Sequence, residues 1–437
     1  NIWGAWFNIA MATWLIFAPP LQAYRSEGMI WSDVLSGLVL LALGCLSLSW
    51  RMGWARWAAA GVGCWLLFAP LVFWAPEPAA YLNGTLIGGL VIGFAVGTRP
   101  PPGVSPVAAT SGPVIPLGWD YSPSSWFQRL PIIILAFGGL YISRYLTAYQ
   151  LGHIEAVWDP FFSGGEGPKN GTEEIITSSV SEAWPVPDAG VGALAYMLEI
   201  LVGLVGSSRR WRTMPWLVLI FGIMIVPLGV VSIVFIIIQP IVIGTWCTLC
   251  LLQALFMLLQ IPYSLDELVA TGQFLRRRVK AGRPFLRVLL TGDRDEGERR
   301  PKSEEEDSFE QSPGAIAKDM LSGGIGFPWS LTLSAMIGVW LMFSRATLGN
   351  EGAMADADHI IGSLVITVAV TALAEVARAA RFLNVPLGAA LLLTPFLFGA
   401  DWVSTLASLA CGLALILLSI PRGRVRCHYG SWNRYVV

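Results

Sequence analysis

Long apolar runs dominate this sequence, and they restrict the chain to a fold in which most helices face lipid. An α-helix needs about 17–25 mainly apolar residues to cross a bilayer. Twelve segments meet or approach this requirement, and they lie near residues 1–18, 32–48, 54–72, 80–97, 130–148, 189–206, 214–239, 243–263, 327–344, 358–377, 383–398 and 402–419. Apolar residues make up 55 % of the 437 positions and charged residues only 13 %, which excludes an ordinary soluble protein. The sequence predicts an all-α integral membrane protein of about twelve transmembrane helices.

The positions of the basic residues orient these predicted helices. If the N-terminus is cytoplasmic, the outer side holds only four of the 28 Lys and Arg residues, namely Arg25, Arg144, Lys169 and Arg345. Cytoplasmic loops of membrane proteins carry an excess of Lys and Arg, which favours this orientation. We therefore expect both termini in the cytoplasm, and we place the protein in the inner membrane of a bacterium.

Three segments between the spans are predicted to stay outside the bilayer. Residues 99–129 are rich in Pro, Ser and Gly and indicate a cytoplasmic linker. Residues 264–290 mix apolar and basic positions, which is typical of an amphipathic helix at a membrane surface. Residues 291–313 are dense in charge and are predicted to be disordered. We interpret the basic clusters as topology signals and contacts with membrane lipid, and we expect no binding of nucleic acid.

A short motif recurs at the predicted outer ends of several spans. Residues 14–19 read Trp-Leu-Ile-Phe-Ala-Pro and residues 65–70 read Trp-Leu-Leu-Phe-Ala-Pro, with weaker copies at 340–344 and 392–396. A Trp in such a position anchors a helix at the membrane interface, and the Pro ends it. The pattern resembles the SPW-repeat family over about 1–98 and 325–420. That resemblance implies helix pairs without established chemistry, so we predict a scaffold role for them.

Two of the six cysteines, Cys247 and Cys250, form a CxxC motif at the predicted outer end of the eighth span. This spacing puts both sulfurs on one face of a helix, close enough for a disulfide. The free N–H groups and the dipole of a helix N-terminus lower the pKa of a thiol. The outer face of a bacterial membrane is oxidising, so a disulfide persists there. These properties indicate a redox-active pair, whereas the other four cysteines are interpreted as inert buried thiols.

Zinc is the main alternative ligand of a CxxC motif. A zinc site needs two further ligands, and only His153 and His359 are expected on the outer side. These histidines lie in separate segments of the chain, so we predict no metal site. The three scattered histidines likewise argue against a haem held by two of them.

The region from about 130 to 265 resembles the vitamin K epoxide reductase family. The resemblance is carried by the CxxC within Gly244–Leu251 and by the segment Thr177–Ser181, which leads to the next predicted helix. It implies a four-helix bundle around a quinone that exchanges electrons with the cysteine pair. Family members commonly have two further cysteines in the outer loop, but here Thr177 and the pair Trp158 and Asp159 stand near those positions. We therefore expect a two-cysteine site that exchanges with a separate thioredoxin-like thiol protein at the outer face.

Polar side chains within the predicted bundle are further candidates for binding the quinone. Glu199 and Gln253 lie about ten residues into their predicted spans, and we expect them to meet ~15 Å below the outer edge. Arg144 is predicted at the depth of the cysteines, where it would favour a thiolate. Trp246 directly precedes the motif and is included in the predicted quinone site. The alternatives are a structural Glu–Gln hydrogen bond and an arginine that snorkels to the interface.

The chain thus divides into 1–98, 99–129, 130–265, 266–325 and 326–437. The leading hypothesis is a membrane thiol–disulfide oxidoreductase linked to a quinone. Its alternative is a non-catalytic scaffold or accessory subunit of a larger membrane complex, with a vestigial redox site. Cys247 is predicted one turn nearer the outer surface than Cys250, ~4.5 Å along the axis, so we expect the thiol partner at Cys247 and the quinone at Cys250.

Overall fold

The computed structural model describes residues 2–49, 52–98, 101–165, 167–295 and 312–436. In this part of the chain the secondary structure is helical, with isolated β-bridges and no strand. The α-helices are α1 (Ile2–Leu21), α2 (Glu27–Ser47), α3 (Gly53–Val72), α4 (Pro78–Val96), α5 (Pro106–Thr110), α6 (Trp126–Gln150), α7 (Gly171–Ile176), α8 (Ser179–Glu182), α9 (Asp188–Leu204), α10 (Arg210–Thr213), α11 (Pro215–Ile238), α12 (Thr248–Lys280), α13 (Phe285–Thr291), α14 (Pro313–Ser322), α15 (Trp329–Met342), α16 (Ser344–Thr347), α17 (Gly352–Thr371), α18 (Asn384–Phe398) and α19 (Trp402–Leu418).

Within the described ranges, nine helical segments are long and apolar enough to cross a membrane. Two shorter apolar helices, α15 and α19, and the 17-residue α9 occupy three further predicted spans. Every predicted span therefore coincides with a helix, and the prediction of an all-α integral membrane protein is confirmed. The number of twelve membrane crossings stays a prediction, since α15 has only 14 residues.

Four helix pairs form the two ends of the chain, and each pair packs through direct backbone contact. A Cβ atom added at Gly63 of α3 would lie 2.8 Å from the carbonyl oxygen of Gly88 in α4, and one at Gly88 would lie 2.7 Å from that of Gly63. Two other pairs repeat this reciprocal contact, at Gly338 with Gly362 and at Gly388 with Gly412, and the first pair places Ala12 opposite Gly37. Small residues at these crossings let helices approach closely in a membrane.

The central bundle consists of α6, α9, α11 and α12, and the repeat pairs flank it on two sides. Helix α6 packs against α9 and α12, while α11 packs against α12. The N-terminal pairs reach the bundle through a cluster of Leu71, Tyr81 and Val186. The C-terminal pairs reach it through α17, which contacts both α11 and α12. The central bundle is therefore in contact with both repeat regions.

The segment 264–290, predicted as a helix at the membrane surface, differs from that expectation over its first half. Helix α12 continues without interruption to Lys280, and its residues Glu267 and Arg278 are buried in protein. Glu267 pairs with buried Arg210 at 2.6 Å. Arg278 pairs with Asp293 at 3.0 Å, so polar residues of this segment have partners within the protein. Exposed apolar side chains lie near its end, at Val279 of α12 and at Leu286 of α13.

Within the predicted linker 99–129, the described residues pack against this extension of α12. Trp119 is buried and donates from Nε1 to Oε1 of Gln273 at 3.0 Å. Ser124 is also buried and donates to Glu267. Most of the run 291–313 predicted as disordered, residues 296–311, lies outside the described residues.

Candidate functional site

Cys247 and Cys250 are joined by a disulfide at the start of α12, with their Cα atoms 5.2 Å apart. Cys247 is the N-cap of the helix, with an extended backbone, and its sulfur accepts the N–H of Cys250 at 3.0 Å. Gly244 precedes the motif in the left-handed region, with φ of 88°, which a residue with a side chain rarely adopts. This turn reverses the chain between α11 and α12.

A single π-helical turn, Gln239–Ile243, joins the end of α11 to this reversal. Pro240 has no N–H, so the carbonyl of Ile236 lacks its usual helical donor. The ring of His359 in α17 supplies a donor instead, with Nε2 lying 3.1 Å from the Ile236 oxygen. The buried side chain of Gln239 accepts the backbone N–H of Cys247 at 3.0 Å through Oε1. The disulfide is thus fixed by the turn that precedes it as well as by its own helix.

The outer loop covers Cys247, which is completely buried. Leu146, Val157 and Ile175 belong to the apolar cluster around this cysteine. Thr245 also donates from Oγ1 to the carbonyl of Ser163 in the loop, at 2.8 Å. The expectation that Cys247 is the more accessible sulfur is therefore wrong for this conformation. The order of the two cysteines along the helix follows from the motif, whereas the exposure of Cys247 depends on how the loop folds back.

Asp159 fastens the loop to the first turn of α12. Its carboxylate accepts the backbone N–H of Thr248 at 3.1 Å and also the Thr248 hydroxyl. Thr172 donates to the same carboxylate at 2.7 Å. Burial raises the pKa of Asp159, but these hydrogen bonds outweigh it and hold the pKa below the ordinary value. An anion at this position also interacts favourably with the dipole of α12.

Cys250 lines a cavity of about 220 Å³ between α9, α11 and α12. Leu228, Val231 and Phe235 contribute apolar walls, while Tyr196 and Gln253 contribute polar groups. The Tyr196 hydroxyl donates to the backbone oxygen of Gln253 at 3.0 Å. Gln253 in turn donates from Nε2 to the hydroxyl of Ser143 in α6. The cavity is therefore mainly apolar, with a few polar atoms beside the sulfur of Cys250.

Glu199 does not meet Gln253. With the Gln260 amide oriented to satisfy its neighbours, its nitrogen donates to Glu199 at 2.8 Å and its oxygen accepts the N–H of Ala136 at 3.2 Å. The difference arises because α12 begins at Thr248, five residues after the predicted start of that span. Gln253 is therefore shallower than expected. Glu199 is buried and is not part of the cavity lining.

Arg144 and Trp246 also lie outside the lining of this cavity. The guanidinium of Arg144 is stacked 4.8 Å from the ring centroid of Tyr81 in α4, so it contacts the N-terminal repeat. The Trp246 ring is stacked on Phe343, with centroids 4.9 Å apart, and meets His359 edge-on at 4.8 Å. Of the four predicted quinone-binding residues, only Gln253 lies in the cavity with Cys250.

The sequence does not predict the roles of three residues around the disulfide. Asp159 stands near a position where the family has a cysteine. Gln239 and His359 lie in other helices, and no local pattern links them to the motif. The one available signal was Pro240 in an otherwise apolar helix, since a proline there frees a carbonyl that needs another donor. The described residues contain no group of three His, Cys, Asp or Glu suited to a metal ion.

Comparison with known families agrees with this division of the chain. Residues 130–265 match the vitamin K epoxide reductase family, and residues 2–98 and 328–421 match the SPW repeat domain. Both resemblances recognised from motifs are thereby confirmed. No curated protein and no solved structure matches the chain.

Proposed function

We propose that this protein is a membrane thiol–disulfide oxidoreductase in which Cys247 and Cys250 exchange electrons with a quinone. The observation that carries the proposal is a CxxC disulfide at the first turn of a helix, with Cys250 facing the cavity between α9, α11 and α12. The match of residues 130–265 to the vitamin K epoxide reductase family supports a thiol oxidoreductase. A quinone is the electron carrier that the apolar cavity suits.

Oxidation of the two thiols forms one S–S bond and releases two electrons and two protons. A bound quinone supplies the acceptor for both and leaves as the quinol, and the reverse reaction reduces the disulfide. Cys250 is the sulfur placed to face the quinone, while Cys247 is the sulfur that exchanges with a thiol. Exchange of this kind proceeds through a mixed disulfide that the second thiolate resolves.

The residues of the cavity have separate tasks in this proposal. The apolar side chains of α11 exclude water and hold the ring, while Gln253 and Ser143 provide the polar end beside Cys250. Gln239 orients Cys247 by accepting its N–H. At the N-terminus of α12, the N–H of Cys250, which donates to the sulfur of Cys247, and the helix dipole stabilise the thiolate form of Cys247.

A thioredoxin-like thiol protein at the outer face is the proposed partner, in a bacterial inner membrane with both termini cytoplasmic. The scarcity of basic residues in the outer loop supports this topology, since residues 149–188 contain one Lys and no Arg. Oxidised partners are expected in that compartment.

The test is reoxidation of the purified protein in detergent. After reduction and removal of the reductant, a short-chain quinone should restore the disulfide, measured by mass shift after alkylation. Cys250→Ala should abolish the shift, whereas Cys427→Ala, which removes a cytoplasmic cysteine far along the chain, should leave it unchanged. If quinone leaves both thiols of the wild-type protein free, the proposal fails.

The scaffold hypothesis remains a second candidate because one observation favours it. Cys247 is covered by a loop that lacks cysteines and is fastened by Asp159. A non-catalytic subunit with a vestigial site would show this burial and no reoxidation by quinone. The same experiment therefore distinguishes the two functions.

A further inference from the structure

We infer that the C-terminal repeat completes the redox site, and that His359 is a positioning residue that stabilises the Cys247–Cys250 disulfide. The inference rests on the proposed function of the two cysteines. It goes beyond that function, because the match to the vitamin K epoxide reductase family ends at residue 265 and His359 lies in the SPW repeat.

The first link from the repeat to the disulfide is through Trp246, the residue bonded to Cys247. The Trp246 ring contacts aromatic side chains of the C-terminal repeat and of the outer loop. Phe343, which follows α15, stacks on it with an interplanar angle of 28°, and His359 meets it edge-on at 89°. Phe162 of the outer loop approaches with its centroid 6.1 Å away. The backbone entering the CxxC motif is therefore held against the repeat.

The second link runs through the end of α11. The ring of His359 donates from Nε2 to the carbonyl oxygen of Ile236. This oxygen lacks its helical donor because Pro240 has no N–H. This hydrogen bond fixes the last turn of α11, directly before Gln239. Gln239 then accepts the N–H of Cys247. The buried imidazole thus acts on Cys247 by two routes, through Trp246 and through Gln239, without touching a sulfur.

The internal repeat shows that this histidine is not required by the repeat architecture itself. Asp33 in α2 and Asp358 in α17 are both the seventh residue of their helices. Each also lies four residues before the glycine that packs against the partner helix, Gly37 or Gly362. The residue after Asp33 is Val34, whereas the residue after Asp358 is His359. The polar ring is present in α17, which contacts α11 and α12 of the central bundle, and a Val stands at the same position of α2.

The consequence concerns the equilibrium between disulfide and dithiol. The S–S bond forms more favourably when the fold holds the two sulfurs at a high effective concentration. Removing the contacts of His359 loosens the backbone that leads into Cys247. The disulfide should then be reduced more easily by a dithiol reagent, which becomes oxidised as it delivers two electrons and two protons to the cysteines.

The experiment is a redox titration of the full chain in detergent against reduced and oxidised dithiothreitol, with the two states separated by alkylation. His359→Phe keeps an aromatic ring beside Trp246 but removes the donor to Ile236. We expect its equilibrium constant for reduction to rise about tenfold, equivalent to about 30 mV. His359→Gln restores a donor and should stay within about threefold of the wild type. Ser363→Ala, one turn along α17, is the matched control and should titrate as the wild type.

Two results would overturn the inference: His359→Phe and the wild type titrating alike, or Ser363→Ala shifting as far as His359→Phe. If His359→Phe does not fold, as judged by gel filtration, Phe343→Leu replaces it, because it removes the ring of the C-terminal repeat that is stacked on Trp246. The same rise is then expected, and its absence refutes the inference. The titration contains no quinone, so its outcome does not depend on the quinone assay. Failure of the quinone assay would refute the proposed function, whereas the effect of His359 on the disulfide would still be measured.

Discussion

Asp159 in the outer loop binds both the backbone N–H and the hydroxyl of Thr248, the first residue of α12. The loop position at which a shuttle cysteine was expected thus carries the hydrogen bonds that close the loop. Cys247, one residue before Thr248, is buried beneath this closure. Access of the proposed thiol partner to Cys247 would therefore require the release of Asp159.

Removing the Asp159 carboxylate should expose Cys247. In the reduced protein, Asp159→Ala is expected to raise the rate at which a membrane-impermeant maleimide labels Cys247 by about tenfold, because loss of a few such hydrogen bonds removes more than about 1.4 kcal/mol from closure. Labelling is measured by peptide mass spectrometry. Glu155→Ala, which alters an exposed acid of the same loop, is the control and should label at the wild-type rate. Equal rates in all three proteins would mean that Asp159 does not close the loop.

Closure should also depend on pH. The pKa of folded Asp159 lies below its ordinary value, so its contribution is complete above roughly pH 4 and is lost as the pH falls through the lowered pKa. We expect labelling of reduced Cys247 by 4,4′-dithiodipyridine, which reacts in acid, to accelerate only below that range. Asp159→Asn cannot ionise, so it should lack the acid-dependent increase. If Asp159→Asn keeps it, another loop carboxylate such as Glu173 controls the opening.

The glycine contacts of the repeats provide a matched pair of substitutions in α3. Gly63→Ala places a methyl group 2.8 Å from the Gly88 carbonyl oxygen and 2.6 Å from Ile92, so we expect a loss of about 1–3 kcal/mol in stability. Gly61→Ala has no atom within 4 Å of the added Cβ and should stabilise the helix by up to about 1 kcal/mol. Thermal unfolding in detergent measures both. If the two variants unfold alike, close backbone contact does not hold this pair together.

Loss of the buried Arg210–Glu267 ion pair should lower the stability of the protein more than loss of the partly exposed pair of Arg345 and Asp356. Glu267→Ala leaves the guanidinium of Arg210 buried without its carboxylate, which costs about 3–5 kcal/mol. Asp356→Ala removes the partner of Arg345 near the outer surface and should cost at most about 1 kcal/mol. The comparison uses the midpoints of thermal unfolding in the same detergent. Similar midpoints for both variants would show that Arg210 finds another partner.

The sequence predicted the features that depend on local composition. The apolar runs located the helices, and the CxxC motif located the disulfide, because both signals lie within a few consecutive residues. The Trp-to-Pro motif located the repeats but missed their packing contact. That contact is at Gly63, two residues before Trp65, and at Gly338, two residues before Trp340. Its partner glycine follows 24 or 25 residues later in the chain, at Gly88 and Gly362.

Contacts between helices depended on the register of each helix and were less predictable. The predicted meeting of Glu199 and Gln253 failed because the π turn and the glycine reversal delay the start of α12 to Thr248. A shift of that size moves a residue more than one turn along the axis and brings Gln260 to Glu199 instead. The burial of Cys247 could not be read from the motif either, since it depends on a loop nearly a hundred residues away.

The aromatic contacts of Trp246 have a consequence for biosynthesis. A ribosome completes the CxxC motif well before it synthesises Phe343 and His359, whose rings hold Trp246 in the finished protein. In the proposed orientation, the two cysteines therefore reach the oxidising side of the membrane while these two rings are still absent. Each new molecule would pass through an interval in which the cysteines are translocated but Trp246 is not yet held by the C-terminal repeat.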